Sequence, residues 1–334
     1  MSRAFALISN PSSNPRKVHC YRSNELKGVK TQQIGEIPSE SFVFSPWGSD
    51  TTFYLDEFLG ELDASSIHEY LNGISDLGGL NLFEETQADF EKRVENAKIA
   101  FQNASLEKVV LARTKKVSLV NGLDILKVFY RLVEANPNSL VYLMKSSQWG
   151  TWLGATPELL LNYDGKDFQT MSLAGTLFSD SEEWSSKEAA EQSVTSSFIE
   201  EVIGWDSNRK PQIQELHQGR LRHLMSVYQL PMNMKEMAGV LTKLSPTPAV
   251  SGYPVQLALD YLQQTERMER SLYAGFIGSK SRENWKLHVN LRCAQILSNE
   301  AFLYAGCGIN SSSNPRREWE ETQNKMRVIE ECLF

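Results

Sequence analysis

Glu188 and Glu191 in KEAAEQ stand one helical turn apart, and Glu318 and Glu321 in REWEETQNK repeat that spacing. Two such pairs facing each other would form an all-carboxylate pocket. Its charges repel unless a divalent cation sits between them, and oxygen ligands suit Mg2+ or Ca2+ better than zinc. The spacing also fits solvated helix faces, where Glu321 and Lys325 form a pair worth about 0.3–0.5 kcal/mol. Glu188 stands at capping-box distance from Ser185. Lys108 heads the apolar run KVVLAR. It is either a lysine at a strand end with its ammonium in water, or a general base whose pKa burial or nearby cations have lowered. Glu158 follows Pro157 in GATPELLL. It either points outward from an edge at the proline, or is a carboxylic acid kept protonated to meet a leaving group. Arg292 in VNLRCA is either half of a buried ion pair or a clamp for a carboxylate. Gly306 and Gly308 in GCGINSSSNP form either an ordinary turn or a place where an anion approaches backbone N–H groups.

These residues need elements to hold them. Asn314 caps a final helix and Pro315 fits its first turn, which puts Glu318, Glu321 and Lys325 on one stripe and Glu320 elsewhere. TQADFEKRVENAKIAFQNA over 86–104 has helical spacing, and LEKVVLARTKKVSLV after it reads as a strand. ILKVFYRLVEANP is a helix stopped at Asn136-Pro137. SLVYLMK, TWLGATPELLLNY and DFQTMSLAGT are expected to be three successive strands. SSKEAAEQSVTSSFIEEVIGW, a region of about 211–243, and YPVQLALDYLQQTERMER are expected to be helices. SLYAGFIGSK, NWKLHVNLRCAQI and AFLYAGCGIN are strands near the end, while residues 1–80 read as short strands and loops. Groups of strands alternating with helices predict an α+β architecture on antiparallel sheets.

At 334 residues and 41% hydrophobic, the chain can bury a large core. No apolar run is long enough to span a membrane and the start lacks a signal-peptide segment, so a cytoplasmic protein is expected. The four cysteines are scattered without a CxxC pair, which argues against a disulfide framework or structural zinc. A net charge of −7 argues against nucleic acid as partner. With no association segment visible, a monomer is expected.

Taken in order, KVVLAR, GATPELLL, SLAGT, KEAAEQ, SPTPAVSGYP, ERSLYAGFIG, NLRCA and GCGINSSSNPRREWEETQNKM resemble the chorismate-utilising enzymes. That family includes the anthranilate, aminodeoxychorismate, isochorismate and salicylate synthases. The resemblance implies an α/β fold of two packed antiparallel β-sheets surrounded by helices, in one domain over 1–334. Within it, 1–85 would be variable strands and loops, and 86–330 the chorismate-binding catalytic region. It implies one Mg2+, held directly by Glu191 and Glu321 and through water by Glu188 and Glu318. Tyr273, Arg292, Gly306, Gly308 and Lys325 match contacts to the substrate carboxylates, and Gly175 and Thr176 match residues near the ring. Ala249 of SPTPAVSG belongs to the same substrate set. His223 stands where relatives often carry a histidine near the ring, although a satisfied core histidine fits as well. Gln192 replaces a histidine common in relatives, and Cys307 stands where a small residue is usual.

Within the family, water-adding members carry a lysine at the position of Lys108, and ammonia-using members carry glutamine. Aminodeoxychorismate synthases carry a lysine at the position of Ala174, which cannot act as a nucleophile. Lys108 with Ala174 therefore implies isochorismate synthase chemistry, with Lys108 as base, Glu158 as acid and chorismate as substrate. Isochorismate could enter menaquinone or catechol siderophore synthesis. The alternatives are salicylate synthase, which goes on to eliminate pyruvate, and a non-catalytic chorismate-binding protein.

Overall fold

The computed structural model describes residues 3–11, 16–75, 83–103, 105–177, 183–184, 186–218 and 221–334. The chain opens with strands β1 (Ala4–Ser9), β2 (His19–Ser23), β3 (Lys27–Lys30), β4 (Ser41–Ser45), β5 (Thr51–Leu55) and β6 (Glu57–Gly60), then helices α1 (Ala64–Asn72) and α2 (Gln87–Asn103). Next come β7 (Lys108–Ser118), α3 (Ile125–Ala135), β8 (Leu140–Ser146), β9 (Gly150–Thr156), β10 (Leu159–Tyr163) and β11 (Asp167–Leu177). Helix α4 (Ser186–Ile203), strands β12 (Gln212–Gln218) and β13 (Leu221–Pro231), α5 (Met234–Leu244), the two-residue β14 (Gly252–Tyr253) and α6 (Val255–Thr265) follow. The chain closes with β15 (Phe276–Ser281), β16 (Asn284–Val289), β17 (Cys293–Ile296), β18 (Glu300–Ile309) and α7 (Pro315–Leu333).

Among the described residues the strands form two nine-stranded sheets, ordered β14-β7-β18-β17-β9-β8-β1-β2-β6 and β12-β13-β11-β10-β16-β15-β4-β5-β3. Pairings are antiparallel, as the α+β reading requires. The main core lies between the sheets, with Ala6, Tyr142 and Trp152 of the first meeting Phe42, Leu161 and Trp285 of the second. On its other face the first sheet packs Phe5, Leu7 and Leu153 against Phe129 and Leu132 of α3 and Met326 and Ile329 of α7. Strand β1 is buried on both faces, which is why AFALIS lacks a polar alternation.

The predicted helices over 86–104, after Asp124 and after Asn314 are present. Asn314 accepts a hydrogen bond from Arg317 N at 3.1 Å, and Pro315 opens α7. The Ser185 cap expected for α4 lies outside the described residues. Four expectations are corrected, one of them being that the helix expected to run to Arg270 ends at Thr265. Residues 212–231 are strands, not helix, and only Met234–Leu244 of that region is helical. β13 pairs with β12 on one side and along its length with β11 on the other, and this long-range pairing overrides its helix-tolerant composition. TWLGATPELLLNY and NWKLHVNLRCAQI are each two strands, one in either sheet. The N-terminal segment also contains a helix, α1, capped by Asp63.

The two divided segments position the site. After Thr156 the chain leaves the first sheet and enters the second at Leu159, and after Val289 it crosses back to rejoin at Cys293. Pro157 ends the first run because it has no N–H for the ladder. Arg292 turns the second corner with φ +47°, a left-handed conformation that is rare outside glycine and strained for an arginine. The corners are bonded to each other, Val289 N to Glu158 O at 3.0 Å and Ala155 N to Arg292 O at 3.0 Å.

Candidate active site

Both corners open on one cavity, with about 700 Å³ of space free of protein atoms, its mouth included. One corner contributes Glu158 and the other Arg292. Lys108 enters from the start of β7, and Gly306 and Gly308 from the neighbouring β18. Gly175 enters from β11, where the register against β13 slips between Ala174 and Thr176 and the glycine takes φ +74°. His223 of β13 lies alongside, Glu191 comes from α4, and Glu321 and Lys325 come from α7. Ala249 and Tyr273 complete the walls. These elements are far apart in sequence and meet because strands from both sheets end here.

Three residues named from the sequence stand differently. Glu318 is buried at 1% exposure one turn before Glu321, but does not line the cavity. Thr176 has its backbone paired with His223 in β11, and Glu188 lies in α4; their side chains lie outside the described residues. The cavity also has members that the sequence reading did not nominate, Pro157, Val110, Leu173, Val250, Leu291 and Tyr304. Their apolar or uncharged character carries no chemical signal in a sequence.

Lys108 is 5% exposed. Burial lowers its pKa, Lys325 adds to the depression, and Glu191, Glu158 and Glu321 oppose it. A Cβ on Gly308 would lie 2.8 Å from Lys108 Cε and 3.4 Å from the Glu191 carboxylate, so this glycine makes room for both. Glu158 is 4% exposed, not outward on an edge. Burial pushes its pKa up to about 7 against the pull of Arg292, Lys108 and Lys325. Burial thus drives both groups toward neutrality, the acid protonated and the amine deprotonated.

His223 Nδ1 lies 3.2 Å from Gly175 O, and its Nε2 lies 3.3 Å from Arg292 Nη2. A carbonyl only accepts, so Nδ1 carries the proton and Nε2 accepts from the guanidinium. Burial, with Arg292 and Lys325 nearby, holds the His223 pKa well below its ordinary value, consistent with this neutral tautomer. His223 therefore orients Arg292. Lys325 Nζ donates to Gly306 O at 3.0 Å and pairs with Glu321 at 2.6 Å. Glu320 instead meets Arg316 on the exposed side of α7, as the helical spacing predicts.

The basic side chains Lys108, Arg292 and Lys325 and the acidic side chains Glu158, Glu191 and Glu321 line the cavity. Among the described residues no three ligating groups form a preassembled metal cluster. Lys325 pairs with Glu321, and the Lys108 amine lies beside Glu191. Glu191 and Glu321 offer only oxygen donors to the cavity, the ligand type a hard divalent cation takes. A cation held there would meet buried carboxylate charge that is otherwise costly.

Comparison with known proteins agrees with the fold. The chain is 31% identical to isochorismate synthase EntC of Escherichia coli strain K12 over 261 residues, covering 73% of this chain and 66% of that protein. It is 29% identical to isochorismate synthase MenF of Bacillus subtilis strain 168 over 263 residues, covering 73% of this chain and 55% of that protein. The chain thus spans less than two thirds of the length of these curated relatives. The structure of MenF, the menaquinone-specific isochorismate synthase from Escherichia coli, superposes with a TM-score of 0.76 at 21% identity, covering 99% of this chain and 89% of that one. Anthranilate synthase component I from Streptococcus pneumoniae TIGR4 superposes with a TM-score of 0.68 at 19% identity, covering 98% and 92%. The sequence model described as chorismate binding enzyme matches residues 80–334. The chain belongs to the chorismate binding enzyme family.

Proposed function

We propose that the protein is an isochorismate synthase, an isomerase that adds water at C2 of chorismate and releases the C4 hydroxyl as water. The observation that carries this reading is one cavity holding a buried amine, Lys108, a buried carboxylic acid, Glu158, and the cations Arg292 and Lys325. Arg292, oriented by His223, and Lys325 bind the substrate carboxylates and fix the ring. Neutral Lys108 takes a proton from the water that attacks C2. Protonated Glu158 gives its proton to the departing C4 oxygen. Each proton transfer by a positioned group contributes about 10²–10⁴-fold. Glu191 and Glu321 would hold Mg2+ directly, with Glu188 and Glu318 acting through water, and the ion would supply fixed positive charge to a substrate carboxylate. We place the catalytic region at 86–330 within a single domain, and the enzyme acts as a monomer in the cytoplasm.

Incubation with chorismate and Mg2+, followed by proton NMR, tests the reading. Isochorismate is the expected product. Salicylate and pyruvate accumulating without a second enzyme would replace the assignment with salicylate synthase. Binding without turnover would leave only a chorismate-binding protein. Removal of divalent metal by a chelator is expected to abolish turnover and Mg2+ to restore it; full activity after chelation would overturn the metal assignment.

Gly308→Ala probes the packing of the base. The atoms nearest its new methyl belong to the side chains of Lys108 and Glu191, so the strand can keep its fold while Lys108 has to move. Turnover is expected to fall about 10–100-fold with little change in melting temperature. Unchanged kcat would show that Lys108 need not stand where it does.

A further inference from the structure

Strand β7 carries Lys108 and, beyond the two-residue β14, has no strand neighbour on its outer edge among the described residues. Its outward backbone groups are nonetheless met one after another. Glu107 N bonds to Tyr253 O at 2.9 Å and Val110 N to Ser251 O at 2.9 Å. After that, side chains take over. Arg270 Nη2 donates to Val110 O at 2.8 Å, Ala112 N donates to Glu266 Oε1 at 3.3 Å, and Arg93 Nη1 donates to Ala112 O at 3.1 Å. Arg270 in turn grips Glu266 with Nε at 2.7 Å and Nη2 at 2.9 Å. A row of charged side chains thus does what a neighbouring strand would do, satisfying an edge that would otherwise be open.

Arg270 does more than close an edge. It is 2% exposed, and its Nη1 donates to Val250 O at 2.7 Å. Val110 and Val250 line two different walls of the cavity. Its guanidinium carbon lies 4.2 Å from the centre of the Trp47 ring and 6.0 Å from that of Tyr273, a third wall residue. One planar group therefore sets the spacing between β7, two residues beyond Lys108, and the Thr247–Gly252 turn that brings Ala249 to the cavity. A lysine has a single nitrogen and cannot span two carbonyls and a carboxylate in this geometry.

We propose that Arg270, with Glu266 and Arg93, is a positioning unit for the active site, holding β7 and the 247–252 turn in the register that places Lys108 over the substrate. The unit touches no substrate and acts through the backbone it grips. The proposal rests on the reading of Lys108 as the base that activates water.

The test is Arg270→Lys, which keeps the charge facing Glu266. For the folded variant, checked by near-ultraviolet circular dichroism, kcat is expected to fall about 10–100-fold with a much smaller change in KM, because displacement of the base rather than loss of binding is at issue. A device that serves stability alone would leave kcat of the folded protein at the wild-type value, and that result would overturn the proposal. Should Arg270→Lys fail to fold, Arg93→Gln, at the outer end of the row, carries the same prediction with a smaller fall, and a wild-type kcat there would equally overturn it. Wild-type protein runs alongside. A wild type that makes no isochorismate sinks the functional reading, whereas an active wild type matched by its variants sinks the positioning unit alone.

Discussion

Lys108→Ala is expected to lower turnover about 10²–10⁴-fold or more while chorismate binding, measured by calorimetry, stays within reach of the wild type. The separation follows from the site. The proposed substrate anchors, Arg292 and Lys325, sit on other elements and do not need the Lys108 amine. What is lost is an amine whose surroundings drive it toward its neutral form, through burial reinforced by Lys325. An exposed lysine, with a pKa near ~10.4, holds too little free base near neutral pH to serve. Lys108→Arg sharpens the test. It puts a fixed positive charge beside Glu191 and does not release its proton at any accessible pH. If the amine acts as a base, arginine is as inactive as alanine. If Lys108 only supplies charge, arginine keeps most of the activity and the assignment of the base fails. Binding lost together with turnover in the alanine variant would place Lys108 among the substrate anchors.

KVVLAR alone leaves open whether its lysine enters a cavity, because strand ends and buried bases look alike in sequence. The final helix was legible because its signals are local: a cap at Asn314, a proline at the first position and a stripe at helical spacing. The paths of TWLGATPELLLNY and NWKLHVNLRCAQI were not. Each is a continuous apolar run, and which sheet its second half joins is decided by partners more than a hundred residues away, such as Glu158 O and Val289 N. Pro157 marked a break in the ladder, but not a change of sheet. The error over 212–231 has the same origin, since β13 is held by pairing with β11 and not by its own propensity.

The buried polar contacts were the least visible. Glu266 and Arg270 are four apart and read as part of a helix continuing to 270, but α6 ends at Thr265 and both side chains turn in to the edge of β7. Beyond the helix these two residues satisfy backbone groups of Val110, Ala112 and Val250. His223 and Arg292 are 69 residues apart, and only the two sheets bring them to 3.3 Å. Ion pairs and hydrogen bonds of this kind depend on the finished fold, whereas caps and periodicity do not.

Glu158→Gln is expected to cost about 10²–10⁴-fold in kcat and, more tellingly, to change the shape of the pH profile. On the proposed mechanism the wild-type rate follows the product of two fractions: neutral Lys108, which grows as pH rises, and protonated Glu158, which declines as pH rises through its burial-raised value of about 7. That product climbs and then falls, giving a bell, and the fall comes from loss of the Glu158 proton whichever group has the higher pKa. Glutamine is neutral and of similar size, so it keeps the uncharged form's packing between Arg292 and the first corner. It has no proton to give and none to lose. The residual rate of the variant should therefore rise with pH to a plateau, with the alkaline descent gone. A descent that persists in Glu158→Gln would mean that another group is the acid. A variant with wild-type kcat would mean that the C4 oxygen leaves without help from this carboxyl. If Glu158 only paired with Arg292, its removal would raise KM for the anionic substrate or lower stability and leave the alkaline limb in place. The limb is therefore the measurement that separates an acid from a structural carboxylate.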